Sequence, residues 1–257
     1  LSWIEHHKSS TSDQIRTVYK MKFRTGNGEI AVNIATRHAL EAEVTGRLLQ
    51  GRGFALATLN LDHLVKLAAD PAFRAAYQKQ DLVVADGNPI VWLARLARQP
   101  VTLMPGSDLV IPLAGWAKDT GQTVALVGST DDSLLRAAEA LRAAVPGLVV
   151  ACTIAPPFGF DPEGPQADTI LRDVAESGAR LCFIALGAPK QELFAARGRV
   201  TAPQVGFASI GAGLDFLSGS QVRAPLWVRK LALEWLWRLL SQPRRMFTRY
   251  AQCFGIL

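Results

Sequence analysis

Leu181-Cys182-Phe183-Ile184-Ala185-Leu186-Gly187-Ala188-Pro189-Lys190-Gln191-Glu192 holds the pattern that decides the fold. An unbroken apolar run stops at a glycine, and a proline then opens a helical stretch. A short apolar run without polar alternation is a strand buried on both faces. Proline is tolerated in the first helical turn, where its missing N–H has no intrahelical partner to lose. The same strand-then-turn pattern is expected at Phe54–Leu59, Leu82–Ala85, Thr123–Val127, Leu148–Cys152 and Val205–Ile210. Amphipathic helices fit between the runs, for example over Ser133–Ala144 and Ala167–Ser177. Short apolar runs separated by helices imply an α/β protein with a mostly parallel sheet and helices on both faces. The segment up to about Arg24 reads as a loosely organised lead-in without a signal-peptide pattern, and the first residue, Leu1 rather than Met, leads us to expect a trimmed chain.

Ligands of parallel sheets bind beyond the carboxyl ends of the strands, and the unusual residues of this chain fall there. Thr58 and Asn60 end the first run, share a side of the strand, and suit sugar hydroxyls. Asn60 equally suits the cap of a helix beginning near Asp62. Asp86 follows a buried run and precedes Gly87-Asn88-Pro89. It is placed either as a general base for an attacking hydroxyl or as a turn aspartate, since Asp-Gly and Asn-Pro form turns. Gly128-Ser129 closes the third run. Gly187, Pro189 and Lys190 open a helix whose amide groups, with the lysine charge, can hold a phosphate. Gln191 can meet a hydroxyl or phosphate oxygen there, while an ordinary strand-to-helix turn accounts for the same letters. Gly211 and Asp215 end the sixth run, where a carboxylate can accept from ribose hydroxyls or the uracil edge, although a lone glycine-rich turn also serves packing.

Charge is concentrated at one end. Residues 219–257 carry seven basic side chains against the single acid Glu234, a surplus equal to the formal net charge of +6 for the whole chain. The remaining 21 basic and 21 acidic residues balance. Trp227, Trp235 and Trp237 lie in the same tail, with Trp227, Leu231 and Trp235 spaced as one helical stripe. A second helix after Pro243 stacks Arg245 and Arg249. Clustered cations with interfacial aromatics suit an anionic membrane surface or a phosphate-rich ligand, and no nucleic-acid partner is expected. Two units follow: an α/β catalytic domain over residues 1–218 and a basic, Trp-rich helical appendage over 219–257, with a Gly/Ser-rich hinge near Ser218–Gln221.

Other chemistries lack their signatures. No apolar run approaches the roughly 18 residues that read as a membrane span. Cys152, Cys182 and Cys253 form no CxxC and are expected as reduced thiols. The four histidines have no metal-ligand spacing, no DxD occurs, and no metal cofactor is expected. A dinucleotide-dependent oxidoreductase would carry GxGxxG after its first strand, which is missing. A non-catalytic, membrane-bound nucleotide-sugar-binding protein stays open as an alternative.

The motifs, taken together, resemble the WecG/TagA/CpsF glycosyltransferase family. The matching stretches are Thr58-Leu59-Asn60-Leu61-Asp62-His63, Ala85-Asp86-Gly87-Asn88-Pro89-Ile90-Val91-Trp92, Gly106-Ser107-Asp108-Leu109, Leu186–Glu192, and Ile210–Gly219. In the tail they are Arg223-Ala224-Pro225, Leu233–Leu239 and Gln242–Arg245. The resemblance implies a Rossmann-like core and inverting transfer from a UDP-sugar to an undecaprenyl-diphosphate-linked saccharide. It puts the base on Asp86, the Thr/Asn pair on Thr58 and Asn60, and further site residues on Gln191 and Asp215. It implies an appendage that docks on the cytoplasmic face of the membrane, with Arg223, Arg238, Arg244, Arg245 and Arg249 as candidate diphosphate or membrane contacts. UDP-glucose in exopolysaccharide assembly is the favoured donor. UDP-N-acetylmannosamine and its uronic acid are the alternatives. One departure stands out: many relatives carry an arginine where this chain has Leu103.

Overall fold

The computed structural model describes residues 21–25, 28–225, 227–228, 236–237 and 240. Its first elements are β1 (Met21–Thr25), β2 (Gly28–Val32) and α1 (Arg37–Leu49). Next come β3 (Phe54–Leu59), α2 (Leu61–Ala69), α3 (Pro71–Gln78), β4 (Leu82–Ala85), α4 (Asn88–Leu96) and α5 (Gly106–Asp119). The chain continues through β5 (Val124–Gly128), α6 (Asp131–Ala144), β6 (Val150–Ile154), α7 (Pro165–Glu176), β7 (Leu181–Ala185), α8 (Lys190–Thr201), β8 (Gly206–Ser209) and α9 (Gly213–Leu217).

Six strands form one sheet in the order β4-β3-β8-β7-β5-β6, and every pairing in it is parallel. The apolar runs are two-faced, as parallel strands covered on both sides require. Phe54 and Leu56 join a core with Leu40 and Val44 of α1, Leu113 of α5 and Leu134 of α6. The intervening Ala55 and Ala57 enter two cores on the opposite face, one built on Phe194 and Leu171, the other on Phe73, Tyr77 and Ile90. Successive side chains of a strand point to opposite faces, so each run supplies both layers.

Because all six strands run the same way, their carboxyl ends share one rim. The chain builds β3 and β4 on one side and then crosses to β5 and β6, leaving β7 and β8 to fill the middle. Turns distant in sequence are thereby set side by side: Leu59 is paired with Ala85, Gly128 with Ala185, and Ile184 with Ser209.

Differences from expectation are local. Part of the presumed lead-in is ordered: β1 and β2 pair antiparallel, and Met21, Phe23, Ile30 and Val32 pack on the α2–α4 core. Residues 1–20 lie outside the described residues. β6 begins two residues later than the expected Leu148, because Leu148 closes the turn after α6 by donating its N–H to Val145 O. Thr130 caps α6, so Asp131-Asp132 is a helix start. Among the described residues no helix is long and apolar enough to cross a membrane.

Candidate active site

The β3 and β4 turns form one side of the rim. The Asp86 N–H donates to Leu59 O at 2.7 Å, which ties the aspartate to the end of the neighbouring strand. Asp86 is half-buried. Beside it, Asn60 caps α2, its Oδ1 accepting from the His63 N–H at 3.0 Å. The capping role open in the sequence is therefore realised, while no described residue accepts from the Asn60 Nδ2. Thr58 is buried one step below. On the outer edge of β4, Leu103 bridges to Ala85, and the Met104 N–H donates to Ala85 O at 2.8 Å. Leu103 is thus next to Asp86.

The β7 turn continues the rim and reaches inward. The Ala188–Pro189 bond is cis, and α8 begins immediately after it. Gln191 is buried, and its amide is used twice: Nε2 donates to Glu192 Oε1 at 2.8 Å, and Oε1 accepts from the Gly211 N–H at 3.1 Å. Lys190 is exposed, but its Nζ donates to Phe160 O at 2.7 Å, in the loop before α7. The cation at the turn itself is Lys66 of α2, which donates to Ala188 O at 3.1 Å and pairs with Asp62 at 3.0 Å.

Beneath that turn sits a group that sequence reasoning missed. Glu192 has no exposed surface, and its Oε2 has no hydrogen-bond partner among the described residues. Burial pushes its pKa up to about 7, against the lowering effects of the Gln191 amide and, further off, the Lys66 charge. The Tyr77 phenol is raised well above its ordinary value by its own burial and then by the charges of Glu192 and Asp86. Tyr77 also lies 3.3 Å from His63 Nδ1. Tyr77 therefore stands electrostatically between the rim aspartate and the buried glutamate.

The β5 and β8 turns make the other side. Gly128 has φ +122°, and a Cβ there would lie 2.4 Å from Ala185 O. Close approach of β5 to β7 accounts for this glycine without a ligand. Ser129, with φ +52°, donates to Asp215 Oδ1 at 2.5 Å. Ser133 donates to the same oxygen at 3.3 Å, and Gln221 Nε2 donates to Oδ2 at 2.8 Å. Ser133, Ser218 and Ser220 are linked hydroxyl to hydroxyl. The expected hinge is thus tied to α6 and α9, with Asp215 at the centre of the network.

Beyond that junction, Arg223 pairs with Asp108 in the first turn of α5 and lies over the Phe216 ring, 5.8 Å from its centroid. The tail is joined to the rim through this pair, and Trp227 is exposed. Trp235, Arg238, Arg244, Arg245, Arg249 and Cys253 lie outside the described residues. An open groove lined by Ala175, Arg180, Pro203 and Gln204 is at the opposite, amino end of the sheet, away from every site residue expected from the sequence.

A family model described as the glycosyl transferase WecG/TagA/CpsF family matches residues 28–256. The chain belongs to this family. It is a glycosyltransferase with a mostly parallel α/β sheet, and the family implies, in general terms, a nucleotide-sugar donor and a lipid-linked acceptor. In this WecG/TagA/CpsF glycosyltransferase, topology brings Asn60, Asp86, Gln191, Gly211 and Asp215 to one rim. Lys66, Tyr77 and Ser133 join them without having been expected, while Ser129 and Glu192 belong to turns the sequence puts there without a role of their own. The only sequence signal for Lys66 is its spacing from Asp62, one helical turn back.

Proposed function

We propose that this glycosyltransferase moves a sugar from a UDP-sugar to a saccharide carried on undecaprenyl diphosphate, with inversion and without a metal ion, at the cytoplasmic face of the membrane. Support comes chiefly from Asp86, a carboxylate held half-buried at the open rim by a bond from its own N–H. In this reaction Asp86 takes the proton of the acceptor hydroxyl. The freed oxygen attacks the anomeric carbon opposite the UDP, the bond from that carbon to the diphosphate oxygen breaks, and the configuration inverts. Asn60 Nδ2 and Thr58 are placed to orient hydroxyl groups.

The leaving diphosphate gains negative charge, which preorganised donors and cations offset. The first turn of α8 and the appendage arginines have this role, with Arg223 already tethered to the rim by Asp108. Asp215 is assigned to the nucleotide, where ribose hydroxyls would exchange with Ser129 or Gln221 as its partners. Charge neutralisation by the protein's own cations is the reading to be tested with EDTA. UDP-glucose is the first donor to test, in exopolysaccharide assembly. UDP-N-acetylmannosamine and its uronic acid involve the same chemistry.

The test is turnover with a panel of UDP-sugars and one lipid-diphosphate acceptor, with and without EDTA. Loss of a general base typically costs ~10²–10⁴-fold in rate. Asp86→Asn is expected to lose turnover by that order while UDP binding, followed by calorimetry, stays within about threefold of wild type. Turnover of Asp86→Asn near the wild-type level would remove Asp86 from the base role, and abolition by EDTA would remove metal independence.

A further inference from the structure

We propose that Glu192 is a positioning residue for sugar transfer: its buried carboxylate holds the Gln191 amide, and through it the Gly211 turn, in the orientation the reaction uses. This role rests on the transfer reaction proposed above.

The connection is continuous. Glu192 Oε1 accepts from Gln191 Nε2 at 2.8 Å, and Gln191 Oε1 accepts from the Gly211 N–H at 3.1 Å. Two turns of the rim, after β7 and after β8, are thereby joined by one side-chain amide. The backbone of Glu192 is itself fixed, because Gln80 Nε2 donates to its carbonyl at 3.1 Å. An amide has distinct donor and acceptor ends, and a carboxylate accepts only. Glu192 in its charged form therefore dictates which end of Gln191 faces it, and so which end faces Gly211.

Burial without compensation is the second observation. Glu192 is wholly inside the protein with Oε2 lacking a described partner, although a buried carboxyl group left half-satisfied is costly. A glutamine there would hold the fold with no charge to bury. An acid at this place fits a need for its charge, since a hydrogen bond to an ionised acceptor is roughly twice as strong as a neutral one.

The surroundings leave this charge finely balanced. It faces Asp62 and Lys66 on α2 and Tyr77 on α3, and Tyr77 in turn faces His63 and Asp86. The strands β3 and β8 have no ionisable side chain, and β7 contributes only the buried Cys182. On α7, Asp168 is engaged by Arg197, and on α8 itself Lys190 is tied to Phe160 and Arg199 to Asp81. Lys66 is the one cation in this set that favours the glutamate charge, and Asp62 opposes it. Burial, only partly offset by the Gln191 amide and Lys66, pushes the carboxyl pKa up to about 7. Below that pH the Gln191 amide is held by a neutral acid, and above it by a carboxylate.

The experiment is the pH profile of kcat and of donor KM from pH 6 to 8.5 for wild type and Glu192→Gln, with thermal unfolding of both at pH 8. In wild type kcat is expected to rise through an ionisation near pH 7. In Glu192→Gln that limb is expected to vanish, with kcat at pH 8 down roughly tenfold, donor KM within about threefold, and the unfolding midpoint no lower than wild type. A fall in kcat joined to a fall in midpoint would indicate a packing role and overturn the proposal. So would a limb near pH 7 that persists in the variant, or a wild-type profile that is flat in this range. The last result needs no variant at all. A wild type that transfers no sugar from any donor would instead sink the reaction itself.

Discussion

Asp81 and Glu192 are two carboxylates at opposite ends of the same sheet, and the protein treats them oppositely. Asp81 stands just before β4, at the amino end. It accepts from the Ala55 N–H at 2.8 Å and pairs with Arg199 at 2.8 Å and Arg47 at 3.4 Å. Glu192 stands near the carboxyl end, more deeply buried, with one amide donor from a side chain and an oxygen left over. At the amino end charge is fully compensated and joins α1, β3 and α8. At Glu192 compensation is withheld, although other rim acids such as Asp215 and Asp62 have their partners. Where buried polar groups serve stability alone they are satisfied, and uncompensated ones gather where chemistry is done. The contrast separates a structural end of this glycosyltransferase from the end proposed to carry the chemistry.

The strongest challenge to that contrast is Asp81→Ala. It leaves two guanidinium groups and one N–H without their acceptor, and partly buried charge-assisted bonds of this kind are worth about 3–4 kcal/mol together. Unfolding in urea is expected to show that loss, with UDP binding by the folded protein unchanged. A loss under about 1 kcal/mol would mean that the amino-end cluster is ornamental.

Glu192→Gln is expected to move stability the other way. The folded carboxyl group has its pKa raised to about 7 from an ordinary 4.5. Between those values the folded state keeps a proton that the unfolded state has released, so stability falls as pH rises through this window. The contribution is present below about pH 4.5 and fully lost above about pH 7, a difference of up to ~3 kcal/mol. Wild type is therefore expected to lose stability between pH 5 and pH 8 relative to Glu192→Gln, measured as the gap between their unfolding free energies. Parallel curves would show that the glutamate is not held neutral. The smallest effect is expected for Arg199→Ala. Arg47 and the Ala55 N–H still hold Asp81 in that variant, so a cost of about 1 kcal/mol follows. A cost matching that of Asp81→Ala would make Arg199 the sole effective partner.

Much of the rim was legible in the sequence. Phe54–Leu59 and Leu82–Ala85 are strands with the bounds their apolar runs predict, because a strand buried on both faces leaves no polar letter until it ends. Asn60 at three residues before His63 is a local cap, readable from spacing. Met21–Val32 was missed because its alternating pattern is short and its pairing partner, not its composition, stabilises it. Glu192 falls in a stretch that reads equally as an ordinary strand-to-helix turn. It is buried because α8 is flanked by α3 and α7 and lies on the sheet, which no local pattern announces. The partners of Asp215, Ser129 and Ser133, come from the far side of the chain.

Residue order alone was enough for the alternation of strands and helices, the glycine and acid at each strand end, and the gathering of positive charge in the tail. These follow from periodicity and local backbone preference, which act over a few residues. Which ends meet, which amide is braced by which acid, and which carboxylate is left uncompensated were decided by the crossing of the chain between β4 and β5. That crossing sets distant turns side by side, and hydrogen bonding and desolvation then depend on neighbours in space.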